Sequence, residues 1–130
     1  MTSYSSIGCR NAWSEDHLPR LTHHLVPAAD WPGLIPGALY RHHSLEDEGF
    51  IHCTDGRNRA VETANRYFQG DRRLYLLVTL DLDRVGCAWR YDDAAEVYPH
   101  VYGPIPVDAV VSVEDMRRSP EGRFLLDHEM

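Results

Sequence analysis

Gly49-Phe50-Ile51-His52-Cys53-Thr54 is the stretch from which the rest of the chain can be read. It has the composition of a short strand, yet it carries an imidazole where a core strand usually carries a hydrophobe. Side chains along a strand point alternately to its two faces. Phe50, His52 and Thr54 therefore share one face, and Ile51 and Cys53 share the other. Ile51 and Cys53 read as core. His52 then stands between an aromatic ring and a hydroxyl, just before a helix start, and strand ends are where folds commonly place chemistry.

Outward from that strand, composition sets the limits. At 130 residues the chain is long enough for one domain with its own core. Hydrophobic residues make up 43% and charged residues 25%, the balance of a soluble globular protein. No apolar run reaches the roughly 20 residues that a bilayer requires. Glu15, Asp16 and His17 interrupt the first twenty residues, which argues against a secretory signal. Cys9, Cys53 and Cys87 are scattered and odd in number, a pattern that fits a reducing cytoplasm. A formal net charge of −7 sets aside nucleic acid and anionic membranes as partners and leaves a small molecule. The local cluster Arg57, Arg59, Arg66, Arg72 and Arg73 reads as a solvated helix face.

All 13 basic residues are arginine. Without lysine, Schiff-base catalysis, covalent attachment of pyridoxal phosphate and a Walker-type phosphate lysine are excluded. Arginine stays protonated and replaces none of them. Eight histidines remain as proton handlers near neutrality.

In chain order, residues 1–19 read as a flexible arm, 20–118 as the catalytic or ligand-binding domain and 119–130 as a C-terminal tail. Arg20 to Val26 reads as the first strand. Pro27 to Trp31 can start only a short helix before Pro32 and Pro36. Leu39 to Leu45 reads as a polar connection. Arg57 to Gln69 has the clearest helical spacing, with Val61, Ala64 and Phe68 on one face. Thr54 or Asp55 is its expected N-cap, and Gly70 its stop. Leu74 to Leu80 is almost wholly apolar and reads as a central strand buried on both faces. Cys87 to Tyr91, Val97 to Tyr102 and Val107 to Val113 supply further strands. Strands outnumber helices without regular alternation, so the class is α+β.

The segment Glu96-Val97-Tyr98-Pro99-His100-Val101-Tyr102-Gly103-Pro104 places Tyr98, His100 and Tyr102 on one strand face. Two phenols beside an imidazole could sandwich a flat ring. Pro99 suggests an edge strand or a cleft rim. Glu96 shares that face and is the candidate acid or ribose contact. Three histidines on strands, His24, His52 and His100, each need a polar partner if buried. Their spacing lacks the HxxxH or HxH pattern of a zinc set, so no metal is expected. His52 and Cys53 face opposite ways and cannot form a nucleophilic pair. Glu46, Asp47 and Glu48 read as solvated loop charges, and His17, His42, His43 and His128 as surface residues.

The strings His24-Leu25 with Trp31, Tyr40-Arg41, Ser44-Leu45-Glu46-Asp47-Glu48-Gly49-Phe50-Ile51-His52-Cys53-Thr54, Ala64-Asn65-Arg66-Tyr67-Phe68, Tyr98-Pro99-His100-Val101-Tyr102-Gly103-Pro104 and Asp108-Ala109-Val110-Val111 together resemble a known family. It is the bacterial domain-of-unknown-function family nine-five-two. The resemblance spans about Leu21 to Val113. It implies an ADP-ribosyltransferase-like fold, a split and strongly bent β-structure with one main helix and a cleft that holds NAD in true transferases. It also implies that His24, His52 and His100 face that cleft. The transferases' cleft glutamate has no counterpart here unless Glu96 supplies it.

Three readings follow. In the first, the protein acts on an NAD-like or nucleotide substrate by glycosidic transfer or hydrolysis. His52, His100 and Glu96 are then catalytic, and His24, Thr54, Tyr98 and Tyr102 bind substrate, with NAD as substrate rather than resident cofactor. In the second, His52 and His100 carry out cofactor-free acid–base chemistry, an isomerisation, dehydration or cyclisation of a metabolite. In the third, the same cleft binds a ligand without chemistry.

Overall fold

The computed structural model describes residues 18–126. Most of the arm expected at 1–19, and the last four residues of the expected tail, lie outside the described residues. The strands are β1 (Leu21–Pro27), β2 (Leu39–Tyr40), β3 (Ile51–His52), β4 (Tyr75–Asp81), β5 (Trp89–Tyr91), β6 (Pro99–Val101), β7 (Ile105–Pro106) and β8 (Val110–Asp115). Helix α1 (Ser44–Asp47) is a single turn and α2 (Arg57–Tyr67) is the main helix. The class is α+β.

β4 organises the molecule because it is buried along its whole length. It lies between β1 and β8, antiparallel to both. Its side chains serve two cores, as alternation requires for a strand covered on both faces. Leu76, Val78 and Leu80 pack with Val26, Ile51, Cys53, Val101 and Ile105. On the other face Tyr75 packs with Val61 and Ala64 of α2 and with Phe124. A bidentate Arg57–Glu114 ion pair, at 2.6 and 2.9 Å, ties the start of α2 to β8.

A second sheet has the order β3-β6-β5. Its register sets Ile51 opposite Val101 opposite Trp89, and His52 opposite His100 opposite Arg90. The first row enters the main core. The second row is therefore on the opposite face, two imidazoles and a guanidinium abreast. A bridge between His23 and Thr54 joins the sheets, with backbone hydrogen bonds of 3.0 and 2.7 Å.

Several expectations are corrected here. Thr54 and Asp55 do not cap α2. Its N-cap is Gly56, with φ of +89° and no side-chain cap bond, because the chain must reverse sharply between the Thr54 bridge and the helix. Leu39 to Leu45 is not simple connection, since it contains β2 and opens α1. β6 is the middle strand of its sheet, not an edge. Pro99 is tolerated there as its first residue, where its carbonyl still accepts from Cys53 N–H at 3.0 Å. Residues 119–126 are not a loose tail. Phe124 is fully buried, and Asn65 holds its backbone through both amide atoms, at 3.0 and 2.7 Å.

Candidate functional site

A cleft of about 990 Å³ runs along the junction of the two sheets beneath α2. His24, His52 and His100 all line it, together with Thr54 and Tyr98. Strand register explains the convergence. His52 and His100 are direct partners across β3 and β6, and the His23–Thr54 bridge brings β1 alongside.

His100 is the most firmly placed of the three. Its ring stacks on Phe50, with centroids 3.9 Å apart and planes 12° from parallel. Its Nδ1 lies 2.8 Å from Asp92 Oδ2. A carboxylate only accepts, so Nδ1–H donates and Nε2 carries the lone pair in the neutral ring. Asp92 is itself held by the Tyr102 hydroxyl and by Arg90 Nε at 2.7 Å. These donors keep its carboxyl low, at about 2, so it remains an anion. Asp92 thus orients the imidazole in the way a third group orients a catalytic base.

His52 repeats the arrangement in mirror. Its Nε2 donates to Glu48, 3.1 Å from each carboxylate oxygen, which leaves Nδ1 as the basic nitrogen. The two rings meet edge to face, 5.3 Å between centroids. Two imidazoles thus stand side by side, each with a carboxylate on one nitrogen and, among the described residues, no hydrogen-bond partner on the other. Such a pair can remove a proton at one substrate atom and supply one at a neighbouring atom.

His24 has a different part. It is 3% exposed, and both ring nitrogens are used. Nδ1 donates to the His52 carbonyl at 2.7 Å, and Nε2 accepts from the Tyr40 hydroxyl at 2.8 Å. Burial lowers its pKa to about 3, so the ring is neutral. With both ring nitrogens occupied, it offers no hydrogen bond to a ligand, so it does not bind substrate as the NAD-like reading expects. It fixes the backbone of His52 instead.

Glu96 does not join the site. The Asp93 carboxylate accepts from the backbone N–H groups of Val97 and Tyr98, at 3.0 and 3.1 Å, and folds residues 93–98 into a tight loop. Glu96 lies exposed on that loop with φ of +55°, so the strand expected from Val97 begins only at Pro99. Tyr102 does not line the cleft either, and its hydroxyl donates to Asp92. Tyr98 and Tyr102 therefore form no sandwich around one ligand ring.

Several cleft residues escape the sequence reading, and three of them touch the histidines expected there. His42 lies in the cleft rather than on the surface, its ring edge-on to His24 with centroids 5.1 Å apart. Ser44 N–H donates to its Nδ1 at 3.2 Å, which leaves Nε2–H as the donor, and burial lowers its pKa. Glu48 and Asp92 look like loop charges in the sequence. The signal for Glu48 is its spacing of four from His52 across a turn, and for Asp92 only its place at the end of β5. Cys53 is buried with its thiol pushed up, which disfavours a thiolate there.

Solved structures share this architecture. The crystal structure of protein CC0527 from Caulobacter crescentus superposes with a TM-score of 0.65 at 24% identity, covering 81% of this chain and 93% of that one. The solution NMR structure of CC0527 gives 0.56 at 23% identity, over 78% and 89%. At this identity the likeness concerns the fold. No curated protein matches the chain. The family model described as a protein of unknown function, DUF952, matches residues 25–113, from within β1 to within β8, a span that holds His42, His52 and His100 of the cleft but begins just after His24. The chain belongs to that family.

Proposed function

We propose that this protein is an acid–base enzyme of a small polar metabolite, with His52 and His100 as its proton-transfer pair. The observation that carries this reading is the pair of carboxylate–imidazole couples, Glu48–His52 and Asp92–His100, abreast on one sheet row and open to the same cleft. The imidazole that enters neutral removes a proton while the other, entering as the imidazolium, donates one, and a carboxylate orients each ring. Isomerisation, dehydration and cyclisation can each use this arrangement.

The nucleotide reading is the alternative. A cleft of about 990 Å³ suits a nucleotide, and Tyr98 lines it. The separation into a β1-β4-β8 sheet and a β3-β6-β5 sheet supports an ADP-ribosyltransferase-like split β-structure. Against glycosidic chemistry stands the position of Glu96, outside the cleft. A cytoplasmic location and a small-molecule partner complete the proposal.

The test is to incubate the purified protein, and a His52→Gln/His100→Gln double variant, with a cell metabolite extract and to follow masses and retention times. The acid–base reading expects a wild-type-dependent product that is an isomer or an anhydro form of a metabolite. Free nicotinamide released from NAD by the wild type alone would replace it with the nucleotide reading.

A further inference from the structure

Charge within the cleft is unevenly neutralised. Five carboxylates line it, and each has a partner inside the protein. Glu48 pairs with His52, and Asp92 with His100, Arg90 and Tyr102. Asp93 takes two backbone N–H groups. Asp71 binds Arg73 at 2.6 Å and the Tyr75 hydroxyl at 2.9 Å, and Asp30 lies 3.9 Å from the same Arg73. Of the two cleft arginines, Arg73 is thus committed to carboxylates. Arg66 is not. Its guanidinium lies near the phenols of Tyr98 and Tyr67, 5.9 Å from the Tyr67 ring centroid, and has no carboxylate partner among the described residues.

The helix presents this charge with its neighbours. Thr63, Arg66 and Tyr67 are spaced i, i+3 and i+4 on α2, so they share one face, and all three line the cleft. A guanidinium offers a planar fork of donors that matches an oxyanion, and neighbouring phenols add hydroxyl donors and a ring face. We infer that Arg66, with Tyr98 and Tyr67, is the anchor for an oxyanion group of the substrate, a carboxylate or a phosphate. The inference rests on the acid–base reading for the chemistry at the other end of the molecule. It narrows the substrate class to small anionic metabolites with a polar reacting centre.

The test uses the full chain and two-dimensional amide NMR, titrated with inorganic phosphate, with malonate and with glycerol as the neutral control. Phosphate or malonate is expected to shift the amides of 63–68 and 98, and whichever binds more tightly names the oxyanion. Arg66→Gln, a substitution at an exposed position, is expected to weaken that binding about tenfold or more. His100→Gln is expected to leave it within about twofold. Unchanged affinity in Arg66→Gln would overturn the inference. So would the absence of these shifts in the wild type at tens of millimolar anion, or equal shifts with glycerol. Loss of anion binding in His100→Gln but not in Arg66→Gln would place the anion on the imidazole. That outcome would overturn the anchor while leaving the acid–base reading standing, which the product analysis tests separately.

Discussion

At the residue scale, His24 shows how a histidine can matter in a cleft without touching a ligand. Its donor and acceptor join β1, β2 and β3 through Tyr40 and the His52 carbonyl. That neutral state has a thermodynamic signature. In the unfolded chain the ring titrates at its ordinary 6.5, and in the fold at about 3. Between these values the unfolded chain binds the extra proton, so stability is fully present above pH 6.5 and falls as pH drops through the window. The slope is up to about 1.4 kcal/mol per pH unit for one such group. His23 and His42 are lowered as well, mainly by burial, and act with the same sign. Urea unfolding between pH 7 and pH 5 should show this loss, and His24→Gln should make the dependence visibly shallower. An equal slope in the variant would mean that His24 is not held neutral.

At the element scale, the segment after β8 is as much part of the domain as any strand. Phe124 lies edge-to-face on Tyr75, with ring centroids 5.8 Å apart, and Arg118 covers it at 4.0 Å. Phe124→Ala should cost about 3–5 kcal/mol in denaturant unfolding, the usual range for emptying such a site. A loss below about 1 kcal/mol would show that the segment is dispensable. The sequence hid this because Phe124 is one apolar position among charges and breakers, with no period to reveal it. By contrast β4 was legible, since Leu74 to Leu80 is a run of seven apolar or near-apolar residues with few other fates. His52 and His100 were legible because strand alternation alone separates them from Ile51 and Val101. Glu48, His42 and Asp92 were not. Their roles depend on a tight turn, on β2 closing beside β1, and on the register of β5 against β6. Those contacts are tertiary, and Glu96 was misplaced for the same reason, since a side-chain turn at Asp93 overrode the strand pattern.

At the scale of the whole molecule, the proposed chemistry sits on the slighter of the two three-stranded sheets. β1, β4 and β8 have six or seven residues each, and β4 is buried throughout. β3, β5 and β6 have two or three residues each. Local opening free energies follow buried apolar contacts and protected backbone hydrogen bonds, so cooperative units of different stability are expected within one domain. Native-state hydrogen exchange should find the slowest amides at 76–80, close to the global unfolding limit. Amides 52 and 100–101 should exchange through smaller openings. A ligand that bridges Arg66 and the histidine row would touch α2 and β6 together, and should slow the second group more than the first by mass action on the closed form. Phosphate or malonate serves as the probe. If the β6 amides already exchange as slowly as those of β4 without any anion, the two sheets unfold as one unit. The cleft would then be a rigid, preformed site, with binding energy spent on the ligand alone and none on ordering the protein.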